Sequence, residues 1–366
     1  MIKSARIVST GSYLPGEPLT NETLESILGP LSPELLEQVQ VERRHWLVNP
    51  ITGEYHETNS DMAAKAAKQA LELANIDPND VDLLVLSTAS PDYPLPPMVT
   101  LVQEKLGLRR CATLEVRSGC CGTVEALDVA RLYLERGIYQ TAIVIGSEAI
   151  SPLLAPQFLG KDPSSLRARD RLNIYSFGDG AAAMVLTATE DEPGFVGSAM
   201  ACVGGNKKPG MIIPGGGTNA LLTTLDQKKA CLMELKVDFT NSGKFTPHVL
   251  NEALVDVLKR SSTTAESIDL CFLPEGNAGY LRSEIEHSHL QTSEWVVLGD
   301  KIFENLSLVS NTGSAAVPLA LDYAWKTGKL KSGDRIMLLA IETSKWLYAG
   351  IVLDWSAEPC AANNWN

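Results

Sequence analysis

Arg117-Ser118-Gly119-Cys120-Cys121-Gly122 leads into a helical run containing Ala126-Leu127-Asp128, and Asn311-Thr312-Gly313-Ser314 leads into one containing Ala320-Leu321-Asp322. Both runs continue into an apolar strand, Thr141-Ala142-Ile143-Val144-Ile145-Gly146 and Arg335-Ile336-Met337-Leu338-Leu339-Ala340. Upstream, Asp82-Leu83-Leu84-Val85-Leu86 and Asp269-Leu270-Cys271-Phe272-Leu273 each follow an amphipathic helix. The same helix–strand order therefore occurs twice. It predicts two similar halves, 1–190 with Cys120 and 191–366 with Asn311, matched at those two residues. A site where such halves meet draws loops from both.

Alternating strands and helices with short connections predict an α/β sheet covered on both faces. The expected elements are a first strand from the start of the chain, helix 60–75, strand 82–88, helix 97–106, strand 112–117, helix 123–136 and strand 141–147. Pro91, Pro94, Pro96 and Pro97 mark a loop, because proline lacks a ladder donor. Residues 151–173 read as irregular, Phe177-Gly178-Asp179-Gly180-Ala181 as a tight turn into a strand, and 204–232 as an excursion between the halves.

With 366 residues, 45% of them apolar and 20% charged, the chain can bury a large core. A net charge of −13 argues against nucleic acid, since phosphate binding needs clustered Lys and Arg. No apolar run reaches the ~18 residues of a membrane span, and the start lacks the apolar core of a signal peptide. Seven irregularly spaced cysteines give no disulfide framework. A reducing cytoplasm is the expected setting. Cys120-Cys121 has no metal-ligand spacing, so no metal site is expected.

Cys120 is the candidate nucleophile. A thiol attacks as thiolate, and its ordinary pKa is ~8.5. A helix starting near Thr123 would lower that value through its partial positive charge. It would also leave the Cys120 N–H free for an oxyanion. Gly119 and Gly122 permit the bend and close helix packing. The competing reading is a buried, inert cysteine. Cys121 is expected to pack elsewhere.

The chain resembles the β-ketoacyl-acyl-carrier-protein synthase III family of the thiolase superfamily along nearly its whole length. Thr10-Gly11-Ser12-Tyr13-Leu14-Pro15, Phe177-Gly178-Asp179-Gly180-Ala181 and Asn311-Thr312-Gly313-Ser314-Ala315-Ala316-Val317-Pro318 carry the likeness, together with Cys120 two positions before Gly122. The resemblance implies a thiolase fold, five-layered αβαβα, and a homodimer. It also implies Cys120 as nucleophile and Asn311 as part of the catalytic set.

The departures shape the expected function. Where the family has a histidine in Pro-His-Gln-Ala-Asn, this chain reads Pro274-Glu275-Gly276-Asn277-Ala278. An ionised carboxylate only accepts hydrogen bonds, and it would repel the enolate of a decarboxylating condensation. Glu275 suits proton removal instead. The opposing reading is a drifted residue in an inactive site. Among five histidines, His248, read as starting a helix, is the least unsuitable substitute. The family's coenzyme A stacking clamp falls on Glu34 and Gln38, so coenzyme A is expected to bind weakly. Arg171 matches another arginine of that nucleotide site. Arg43, Arg44, Arg167, Arg169 and Arg171 are candidates for a tunnel mouth that meets an acidic carrier protein. Near the C-terminus, Glu342-Thr343-Ser344-Lys345-Trp346 replaces a glycine-rich loop. Ser344 supplies the second oxyanion N–H there, and Glu342 points into the pocket. Leu95 is expected at the substrate pocket or crossing into a partner subunit.

The expectation is an acyltransferase of specialised metabolism, polyketide or fatty-acid-derived. Cys120 takes an acyl group from phosphopantetheine of a carrier protein or from coenzyme A, with no bound cofactor. A small-molecule acceptor activated by Glu275 then takes the acyl group without malonyl decarboxylation, forming a C–C bond, an ester or both. Two alternatives stand beside it: a conventional decarboxylating synthase, and a non-catalytic subunit of a heterodimeric synthase.

Overall fold

The computed structural model describes residues 4–190, 194–218, 234–274, 276, 278–287 and 290–360. Its ten principal strands form two sheets. The first holds β1 (Ser4–Tyr13), β2 (Leu83–Ser87), β3 (Ala112–Val116), β4 (Thr141–Glu148) and β5 (Gly180–Thr189), in the order β1-β5-β4-β2-β3. The second holds β6 (Phe195–Cys202), β7 (Leu270–Phe272), β8 (Ile302–Phe303), β9 (Arg335–Glu342) and β10 (Leu347–Asp354), in the order β6-β10-β9-β7-β8. Each sheet pairs its first three strands antiparallel and its last three parallel. The repeated order in sequence is thus a repeated topology.

Strand periodicity places the layers. Ala142 and Val144 of β4 face the central core, whereas Ile143 and Ile145 face an outer helix. In β9, Ile336, Leu338 and Ala340 face the centre while Met337, Leu339 and Ile341 face outward. This is the two-residue alternation of a sheet buried on both sides. The outer helices α1 (Asn59–Ala74) and α2 (Met98–Lys105) cover the first sheet. Between the sheets lie α3 (Gly122–Glu135) and, later in the chain, the helix Ala316–Lys326; α4 (Phe239–Ser261) covers the second sheet, and Ala316–Lys326 is α5. The result is five layers, αβαβα. Each fully buried Leu, Ile or Val contributes roughly 1.5–3 kcal/mol of apolar transfer.

Local signals explain the elements. Thr58 and Asp61 form a reciprocal capping box at the start of α1, and Asn75 ends it in the left-handed conformation. Gly11 lets β1 approach α1, since a Cβ there would lie 2.4 Å from the Ala66 carbonyl oxygen. Among the described residues, no helix is long and apolar enough to cross a membrane.

Two sequence expectations need correction. Residues 151–173 are largely helical, with helices Ser151–Phe158 and Ala168–Ser176 around a short turn at Pro163–Ser165. Pro152 sits in the first turn, where its missing N–H costs little, so it starts a helix rather than breaking one. His248 does not start a helix. It lies well inside α4, which continues through Pro247.

Candidate active site

The nucleophile turn is built by strand β3, one tight turn at Gly119–Cys121, and the start of α3 at Gly122. Gly119 adopts φ +51°, which favours glycine. A Cβ on Gly122 would lie 2.0 Å from Ser87 Oγ, so the helix start packs directly on β2. Cys120 is partly exposed, and Cys121 is buried with its sulfur 3.4 Å from the Ala340 carbonyl oxygen. The two adjacent thiols therefore face different surroundings.

Asn311 reaches the same point from the other half. Its Oδ1 lies 4.0 Å from Cys120 Sγ and accepts from the Gly313 N–H at 2.9 Å. Its backbone is held by the Phe-Gly-Asp-Gly turn: Asn311 N–H donates to the Ser176 carbonyl and Gly178 N–H to the Asn311 carbonyl. Asp179 of that turn is fully buried. One of its oxygens accepts from the Ile150 and Ser151 N–H groups, and the other from the Leu47 N–H and the Ser151 hydroxyl. Burial raises its pKa to about 6.

The duplication is more exact than the pairing of Cys120 with Asn311. The tight turn Gly119–Cys121 before α3 corresponds to the tight turn Gly313–Ala315 before α5, so Cys120 matches Ser314. Gly313 repeats the positive φ of Gly119, at +56°. The strands β4 and β9 also end alike, in Glu148 and Glu342. Each glutamate reaches into the opposite half's turn. Glu148 Oε1 accepts from Ser314 Oγ at 2.7 Å, and a Cβ on Gly313 would lie 2.9 Å from Glu148 Cγ. Glu342 Oε2 accepts from the Cys120 N–H at 2.7 Å, and a Cβ on Gly119 would lie 1.8 Å from that oxygen.

Glu342 is buried, and its other oxygen, Oε1, accepts from the Ser344 N–H at 2.6 Å. The two N–H groups assigned from sequence to an oxyanion thus converge on one carboxylate. The Cys120 N–H is not free, because β9 delivers a glutamate where the resembling family has glycine-rich backbone. The following turn is anchored: Gly210 N–H donates to the Thr343 carbonyl, Trp346 Nε1 to the Lys208 carbonyl, and Lys345 Nζ to the carbonyls of Gly205 and Lys207.

Beneath the site, Ser314 Oγ lies 2.8 Å from the Gly119 carbonyl oxygen and 3.0 Å from Ser87 Oγ. It ties the nucleophile turn to the asparagine turn. Burial raises the pKa of Glu148, opposed by hydrogen bonds from Ser90, the Ala89 N–H and Ser314. Sequence reading missed Glu148. Its signal was there, as the residue matching Glu342 at the end of the first half's strand.

The remaining candidates fall elsewhere. Glu275 lies outside the described residues. Leu95 is 80% exposed on the proline loop, next to exposed Tyr93. Arg171 uses both terminal nitrogens on backbone carbonyls, of Pro30 at 2.7 Å and Pro163 at 2.8 Å, so it braces two loops. Arg44 is not at a surface mouth. It is fully buried, donating to the Leu19 and Tyr175 carbonyls and to Asn21 Oδ1, and burial lowers its pKa to about 10. Arg43, Arg167 and Arg169 are exposed. His248 pairs with Glu252 and lies tilted against Phe245, His45 contacts the carbonyls of Pro15 and Gly16, His287 contacts the Ser283 carbonyl, and His56 is exposed.

The model of 3-oxoacyl-[acyl-carrier-protein] synthase III matches residues 114–204, and the model of its C-terminal part matches 258–355. The chain is 30% identical to the β-ketoacyl-[acyl-carrier-protein] synthase III of Caldanaerobacter subterraneus subsp. tengcongensis, covering 96% of this chain and 98% of the relative. It is 31% identical to that of Neisseria gonorrhoeae, covering 92% and 95%. Among solved structures, the 3-oxoacyl-[acyl-carrier-protein] synthase III of Aquifex aeolicus superposes with a TM-score of 0.78 at 25% identity, covering 96% of this chain and 100% of that one. A tetronic acid condensing enzyme superposes equally well, with a TM-score of 0.78 at 26% identity and the same coverage.

Proposed function

We propose, for a chain that belongs to the 3-oxoacyl-[acyl-carrier-protein] synthase III family of acyl-transferring condensing enzymes with the thiolase fold, a reaction that forms an acyl-Cys120 enzyme and discharges it without malonyl decarboxylation. The observation that carries this reading is the meeting of Cys120, at the start of α3, with Asn311 from the other half, 4.0 Å apart. Cys120 attacks the thioester carbonyl. The thiol proton passes to the departing pantetheine sulfur, and the acyl group stays on Cys120. Asn311 orients the acceptor, and Glu275 removes its proton. The acceptor then attacks the acyl carbonyl and regenerates the thiol.

Glu275 decides between this and decarboxylating condensation. Stabilising a developing enolate needs hydrogen-bond donors, and a carboxylate offers none when ionised. A hydroxyl or activated-carbon acceptor fits the residue present. The tetronic acid condensing enzyme among the similar structures makes ring-forming release a fitting product class. We assign the acyl donor to a carrier protein, met by exposed Arg43, Arg167 and Arg169, although Asp170 already neutralises part of the charge of the last two. The active form is a homodimer.

Carbon dioxide release from malonyl-carrier thioester, with the acyl-loaded enzyme present, tests the reading. The expected result is release no faster than from the Cys120→Ala variant. Turnover-linked release would establish the conventional condensing reaction instead.

A further inference from the structure

Glu342 presents one carboxylate oxygen to the Cys120 N–H and the other to the Ser344 N–H, at 2.7 and 2.6 Å. These are the two donors that a thioester oxyanion would need in the reaction proposed above. Both are occupied at once by a buried side chain, and no ion pair to that carboxylate is found among the described residues. The carboxylate lies at the start of α3, where the helix's partial positive charge acts. Gly119 leaves no room for the carboxylate to shift toward the turn, since even a Cβ there would clash with it. The neighbouring turn is held by the 204–210 segment, so displacing the carboxylate takes a rotation of the Glu342 side chain rather than a shift of its backbone.

We infer that Glu342 is a displaceable internal occupant of the oxyanion site, and that a donor thioester acylates Cys120 only by taking the carboxylate's place. This rests on the acyl-enzyme reading and deepens it. The step is a thioester exchange. The Cys120 sulfur bonds to the acyl carbon, the carbonyl oxygen moves onto the two N–H groups, the bond to pantetheine sulfur breaks, and the thiol proton ends on that sulfur. Nothing is oxidised or reduced. Displacing the carboxylate draws on binding energy from the rest of the donor, so Glu342 selects donors that are held firmly outside the reacting carbonyl. Emptied of Glu342, the same N–H pair is a site for a small external carboxylate.

Glu148 sharpens the test. It is the matching residue of the first half and holds Ser314, not a nucleophile. If Glu342 merely repeats that pinning role, removing it loosens the turn and slows Cys120.

The experiment measures Cys120 acylation by intact mass with carrier-bound and free pantetheine thioesters, for wild type, Glu342→Gln and Glu342→Ala, with Cys120→Ala as blank. Iodoacetamide labelling of Cys120 serves as a donor-independent control. Acylation is expected to rise at least tenfold in Glu342→Ala, which is about 1.4 kcal/mol of barrier. Glu342→Gln, whose amide group faces a donor N–H, should fall between. Sodium formate should slow Glu342→Ala acylation and leave wild type unchanged. Acylation that is unchanged or slower in both variants, with iodoacetamide labelling at the wild-type rate, overturns the inference. Faster acylation in Glu342→Ala together with malonyl decarboxylation by wild type would instead leave the inference standing and remove the proposed function.

Discussion

Asp179 shows how a motif residue acts through the site rather than in it. Its two oxygens hold the chain at residues 47, 150 and 151, while the adjoining Gly178 holds the Asn311 backbone. Asp179→Ala would leave three buried N–H groups unsatisfied, a loss of about 3 kcal/mol or more, read as a lower urea midpoint. The pH dependence has a definite sign. Its pKa rises from 3.8 when unfolded to about 6 when folded, so the folded state binds more protons between these values. The stabilising contribution is full below about pH 4 and lost as pH rises through about 6. Relative to Asp179→Asn, wild type should therefore lose on the order of 2–3 kcal/mol between pH 4 and 7. A difference that stays flat over that range would contradict the shift. At this scale, the strand-to-helix turn carrying Cys120 was legible from Gly119 and Gly122, and the proximity of Asn311 followed from the family resemblance. The correspondence of Cys120 with Ser314 was not, because the motif around Asn311 begins before the turn that truly repeats.

Strands and helices with a strong period were legible almost to the residue: α1, β2, α3 and β4 appear where alternation and helical spacing placed them. The failures came from proline. Residues 151–173 were read as irregular, yet Pro152 opens a helix there; His248 was read as starting a helix, yet α4 runs on through Pro247, where apolar contacts of Val249, Leu250, Ala253 and Leu254 with the second sheet outweigh the lost hydrogen bond. The edge strand β3 carries its own consequence. Among the described residues it pairs only with β2, and its Leu114 is exposed. An unpaired edge with apolar side chains invites another strand. Two copies joining there would form the isologous interface of the proposed homodimer. Leu114→Lys should shift the mass measured by light scattering from dimer toward monomer. An unchanged dimer would place the interface elsewhere.

For the whole molecule, the twice-repeated order of elements predicted two similar halves and the family resemblance implied five layers, and the two sheets share one strand order. That arrangement brings the ends of β4 and β9 against the opposite turns, so the site depends on both halves. The sequence placed Glu342 at the pocket but did not disclose that its carboxylate takes both oxyanion N–H groups. A glutamate at a strand end is compatible with many side-chain directions, and only packing against Gly119 fixes this one.

In the proposed reaction, Cys120 holds an acyl group until a base at Glu275 activates an acceptor. The direct measurement is the intact mass of wild type, Cys120→Ala and Glu275→Gln after exposure to an acyl-carrier thioester. A stable acyl adduct is expected on wild type and on Glu275→Gln, and none on Cys120→Ala. Absence of any adduct on wild type across a panel of carrier and coenzyme A donors would contradict it.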